Sequence, residues 1–126
     1  MLRDIILAGC GGFVGAAGRL LVCRWTAGIW HGAFPLGTFL VNVSGCFIIG
    51  LLFGLLEHAK VLTPTQNLLL VTGFCGGFTT FSTFANDMWQ LSTKGDWLVL
   101  ALYLFLSIAI GILCVWAGRS IIRCAF

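Results

Sequence analysis

From Trp97 to Gly118 the chain carries no charged side chain, and three other blocks, about Asp4 to Val22, Gly37 to Leu56 and Pro64 to Leu91, are nearly as apolar. One helical crossing of a bilayer takes about 20 mostly apolar residues. Four such blocks with short connections use the whole chain, and no length remains for a soluble domain. The expected fold is all-α and integral to the membrane. It is one domain over residues 1–126, with transmembrane helices at about 4–22, 37–56, 64–91 and 97–118. Composition agrees: with 60% of residues hydrophobic and 9% charged, a chain of 126 residues has too little polar surface to cover its apolar side chains in water.

The same counts exclude several functions. The net charge of +3 is scattered, and no run of Lys or Arg could follow a phosphate backbone, so nucleic acid is not an expected partner. Cys10, Cys46, Cys75 and Cys114 lie inside apolar runs without metal-ligand spacing and read as free, buried thiols. Met1 to Gly18 has the apolar stretch of a leader, but its start is weakly basic and the stretch is rich in glycine, so it reads as a span. His31 and His58 fall in connections and no nucleophile shares a block with a base, so an enzyme is not expected.

Glycines recur at helix-packing intervals, with Gly11 and Gly15 four apart in the first block and Gly50 and Gly54 four apart in the second. Small residues at that spacing let backbones approach closely. With four spans the termini share a side, which then holds Arg3, Lys60, Arg119 and Arg123 against Arg19, Arg24 and Lys94 opposite. A charge bias normally fixes orientation. Four against three is nearly balanced, and an antiparallel pairing of two oppositely inserted copies is the expectation that follows.

The most informative segment is Gly73-Phe74-Cys75-Gly76-Gly77-Phe78-Thr79-Thr80-Phe81-Ser82-Thr83-Phe84, in the middle of the third block. A plain lipid-facing span needs neither adjacent glycines nor four hydroxyls. The glycine pair invites a break near residues 76–79, and broken helices at membrane depth require protein or a wet cavity to satisfy the freed backbone groups. A Ser/Thr-rich packing face bonded back to its own helix is the plain alternative. Phe81 and Phe84 share a helix face, with Ser82 and Thr83 on neighbouring faces. Ring edges carry partial positive charge. With hydroxyls and the amide of Asn42, the only strongly polar residue inside the second block, they could hold a small anion weakly enough to release it.

These residues resemble the signature of the Fluc (CrcB-like) fluoride channels. The resemblance extends to Pro35-Leu36-Gly37-Thr38-Phe39, Asn42, the glycine-rich first helix ending near Arg19 and the four-span length. It implies a dual-topology antiparallel homodimer in the cell inner membrane, with two fluoride pores that let the membrane potential expel F⁻ stranded when HF enters and ionises. The family's pore residues fall on Asn42, Phe81, Ser82, Thr83 and Phe84. Its polar track along the fourth helix falls on Tyr103 and Ser107, but then on Gly111 and Val115, which offer no side-chain hydrogen bond. The resemblance also implies a structural Na⁺ at the dimer centre, held by main-chain carbonyls of Gly76 and Thr79. Arg19 is a candidate vestibule residue, with snorkelling or a surface ion pair as the plainer role for it and for Asp87. Rival readings are a dual-topology proton-coupled multidrug exporter, which needs a membrane-embedded carboxylate, and a structural subunit without transport.

Overall fold

The computed structural model describes residues 1–59 and 61–125. Lys60, one of the charges counted on the terminal side, lies outside them. Four helical spans are long and apolar enough to cross a bilayer: Leu2–Ile29, Leu36–Glu57, Pro64–Thr93 and Trp97–Ala125. The first is α1 (Leu2–Ile29), and the second is α2 (Leu36–Gly54), which continues in π-helical turns over Leu55–Ala59. The third starts with α3 (Pro64–Asn67), widens into π-helical turns over Leu68–Cys75, and continues as α4 (Gly76–Phe78) and α5 (Phe81–Thr93). The last is α6 (Trp97–Ala125).

The element boundaries have local causes. Thr63 and Gln66 form a capping box at the start of α3, with 3.2 and 3.0 Å hydrogen bonds, and Pro64 sits where a helix has no need of its N–H. At the end of α5, Gly95 adopts φ +78°, and the N–H groups of Gly95 and Asp96 donate to Ser92 and Leu91 carbonyls at 3.2 and 3.0 Å. That is a Schellman turn, which only glycine enters without steric cost. It reverses the chain at once into α6. The outer helices run past the apolar blocks because charged residues tolerate helical backbone at the headgroups. The 29 residues of α6 extend for about 43 Å at 1.5 Å per residue, beyond the roughly 30 Å of hydrocarbon.

Packing is divided between two seams, α1 against Leu68–Cys75 and α4, and α2 against α6. Both are glycine seams. A Cβ on Gly11 would lie 2.8 Å from the Phe74 amide nitrogen, and one on Gly77 would lie 2.6 Å from the Gly12 carbonyl oxygen. In the other seam a Cβ on Gly118 would lie 2.6 Å from the Phe47 carbonyl oxygen. Backbones in such contact gain dispersion energy that lipid tails cannot match. Few side chains are wholly enclosed, Tyr103 and Val41 among them, while Phe13, Leu98 and Trp116 are open. That distribution suits a bundle whose solvent is hydrocarbon.

Two sequence expectations change here. All six cysteines are free, but Cys10 and Cys124 are exposed and Cys46 and Cys114 only half-buried, so Cys75 alone is a buried thiol. Apolar runs on lipid-facing helices have no interior to be buried in. Arg19 is not at the end of its helix but 10 residues before it, about 15 Å inside. It therefore does not belong with the charges at helix ends.

Candidate functional site

Between α4 and α5, Thr79 (φ −84°, ψ 156°) and Thr80 (φ −149°, ψ 123°) are extended, while Gly76 and Gly77 are helical. The two threonines organise their surroundings through hydrogen bonds. The Thr79 hydroxyl donates to the Cys75 carbonyl at 2.8 Å, and its amide donates to the same oxygen at 3.0 Å. The Thr80 hydroxyl caps α5 by accepting from the Thr83 amide at 3.3 Å.

The extended pair leaves backbone groups without helical partners, and side chains from other helices supply them. The Thr80 amide donates to Asn42 Oδ1 at 2.8 Å, and Asn42 Nδ2 donates to the Thr80 carbonyl at 3.0 Å. Arg19 Nε donates to the Gly77 carbonyl at 3.1 Å. None of the contacts found among the described residues uses the carbonyls of Gly76 or Thr79. Arg19 thus spends its Nε on the turn between α4 and α5, and no ion pair among the described residues includes it.

Beside this turn lies a groove of about 590 Å³ between α2, α5 and α6, where Asn42, Thr79, Thr80, Phe81, Phe84 and Ser107 meet. Four of the pore residues expected from the sequence, Asn42, Phe81, Phe84 and Ser107, therefore share one concave surface. The Ser107 hydroxyl oxygen is buried and has no partner among the described residues. Phe81 is 80% exposed, whereas Phe84 is half-buried, and their ring centroids are 6.1 Å apart.

Ser82, Thr83 and Tyr103 lie elsewhere. Ser82 Oγ is 3.4 Å from the Thr80 hydroxyl, and Thr83 Oγ1 accepts from it at 3.3 Å, so both hydroxyls turn to the helix cap. Tyr103 is fully enclosed, with its ring 4.9 Å from that of Phe84. Its hydroxyl donates to Asp87 Oδ2 at 3.1 Å, which replaces the surface role expected for Asp87. That carboxylate also borders a smaller cavity of about 250 Å³ with Cys23, Thr26, Trp30 and Thr38. The sequence marked Thr80 only as one of the motif's hydroxyls; its place as a cap three residues before Thr83 was the signal for more.

Residues 6–119 match the family described as CrcB-like protein, Camphor Resistance (CrcB). A protein of Chlorobium phaeobacteroides (strain BS1), named fluoride-specific ion channel FluC, is 44% identical over 94% of this chain and 92% of its own length. Proteins of the same name from Azobacteroides pseudotrichonymphae and Flavobacterium psychrophilum are 41% and 36% identical, over 94% and 97% of this chain and 94% and 98% of their own lengths.

Proposed function

The chain belongs to the CrcB-like family, and we propose that it works as a fluoride-selective passive channel. The observation that carries this is identity of 36–44% over nearly the whole length to proteins named for fluoride conduction. It is a multi-pass protein of the cell membrane, with four membrane-spanning helices. The family is one of channels rather than enzymes.

The groove supplies a physical route to selectivity. Asn42 Nδ2 carries two hydrogens, of which Thr80 takes one, so the other remains for an anion. The positive ring edges of Phe81 and Phe84 add neutral donors, with Ser107 also on the groove wall. Neutral donors replace part of a small anion's hydration and still release it, which a ring of Lys or Arg would hinder. Fluoride stranded by HF entry then leaves down the membrane potential, and the cell is protected.

The working unit in this reading is an antiparallel homodimer with two pores. Its support is the openness of the groove and of Phe81 in a single copy, which a second copy would close. A structural Na⁺ on the dimer axis would be held by the Gly76 and Thr79 carbonyls. These are hard, neutral oxygens outside the hydrogen-bond network described above, and so they fit such an ion. Bound there, Na⁺ would neutralise the converging oxygen dipoles.

The test is purified protein in liposomes loaded with fluoride, with a potassium ionophore carrying the counter-charge. Fluoride should leave rapidly, chloride should stay, and no proton gradient should be needed. Efflux no faster than from empty liposomes would overturn the proposal, and efflux only with a proton gradient would favour the exporter.

A further inference from the structure

We propose that Arg19 is a positioning residue of the pore, acting through the hydrogen bond of its Nε and not through its charge. The inference rests on the channel reading above. In an unbroken helix the Gly77 carbonyl would accept from the Phe81 amide, four residues on. Thr79 and Thr80 are extended, so that partner is out of place. An unpaired carbonyl at membrane depth is strongly disfavoured. Arg19 Nε meets it at 3.1 Å.

The contact is possible because α1 lies directly against α4. A Cβ on Gly15, one turn before Arg19, would lie 2.8 Å from the Phe78 amide nitrogen. The arginine stem therefore begins beside the turn it serves. Anchoring Gly77 fixes the last helical turn before Phe81, and with the Asn42 bonds to Thr80 it holds the turn from both sides. A guanidinium serving only to attract anions would have no need of a carbonyl partner through its inner nitrogen.

That choice of nitrogen separates the two roles experimentally. Glutamine carries its amide nitrogen the same number of bonds from the backbone as arginine Nε. Lysine places a methylene there and its charge one bond beyond. Fluoride efflux from liposomes is measured for the wild type, Arg19→Gln and Arg19→Lys, each first checked as monodisperse in detergent. Arg19→Gln should keep flux near the wild-type level and Arg19→Lys should lose it by at least about tenfold. Active Lys with inactive Gln, or equal flux in both, overturns the inference. A second measurement needs no folded variant at position 19: in ¹⁵N-labelled wild type, the Arg19 Nε–H should exchange with solvent far more slowly than that of the exposed Arg24. Equal exchange overturns it. Absence of fluoride flux in the wild type would defeat the channel reading instead, and leave the exchange result to decide the positioning.

Discussion

Both backbone polar groups of Thr80 are bonded by one side chain, that of Asn42, which accepts from the amide at 2.8 Å and donates to the carbonyl at 3.0 Å. An asparagine is suited to this because it offers an acceptor and a donor at one end. The same residue lines the groove, so the clamp and the pore share it.

Asn42→Leu keeps the branched shape, with a larger volume, and removes both bonds. It leaves two backbone groups unpaired, at about 1–3 kcal/mol each. Thermal unfolding in detergent should fall clearly below that of the wild type, and fluoride efflux should drop at least about tenfold, because the turn before Phe81 loses a support. Asn42→Asp keeps the acceptor but opposes an oxygen to the Thr80 carbonyl and puts a carboxylate in the anion groove; its flux should be lower still. Wild-type flux and stability in Asn42→Leu would show the clamp to be dispensable.

The ring edges predict a split between flux and stability. Phe81→Ile and Phe84→Ile should each abolish or sharply reduce fluoride efflux, since isoleucine keeps bulk but has no positive edge. Phe81 is 80% exposed, so its replacement should leave the stability of the single copy almost unchanged. Phe84 packs 4.9 Å from the Tyr103 ring, and losing an aromatic pair there should cost about 0.5–1.5 kcal/mol. Efflux assays alongside unfolding curves check both, and unchanged flux in both variants would make the rings packing elements only.

The contrast between what was and was not legible follows the range of each interaction. Hydropathy acts locally, so four spans could be read from apolar blocks, and Asn42 stood out as a polar residue among apolar neighbours. Its partner Thr80 is 38 residues away, and Gly77 is 58 from Arg19. No local pattern encodes such pairs. The adjacent glycines point to a break near residues 76–79 because glycine loosens a helix; Gly76 and Gly77 are helical, and the extended residues are Thr79, inside that range, and Thr80 just past it. Gly77 is needed for the close approach of α1, which periodicity alone does not reveal.

Neighbouring glycines should therefore respond differently to alanine. A Cβ on Gly77 would lie 2.6 Å from the Gly12 carbonyl oxygen and 2.9 Å from its Cα, both backbone atoms that cannot rotate away. Gly77→Ala must separate α1 from α4, and should destabilise the protein by about 1–3 kcal/mol, as overpacking typically does. A Cβ on Gly76 meets nothing within 4 Å, and alanine favours a helix by about 1 kcal/mol over glycine. Thermal unfolding of the single-copy fold should rank Gly76→Ala at or above the wild type and Gly77→Ala well below it. The reverse order would mean that the α1 seam is not as close as described.

Ion removal tests the remaining part of the proposed assembly. The extended residues after α4 free several carbonyls at membrane depth, where each unpaired group costs several kcal/mol. Asn42 and Arg19 serve those of Thr80 and Gly77, whereas Gly76 and Thr79 draw on no contact described among the residues present. Two antiparallel copies would bring four such oxygens around one point. Water can satisfy a carbonyl as well as a cation can, so the two are separated by dependence on the ion. Fluoride efflux should fail after exhaustive sodium removal or replacement by a larger monovalent ion, and return when sodium is restored, with no sodium flux accompanying fluoride. Alanine at Thr79 should leave the ion dependence intact, because the ligand is main-chain, while weakening the turn by one hydroxyl bond to Cys75. Full flux without sodium would remove the ion from the assembly and leave the pore residues untouched.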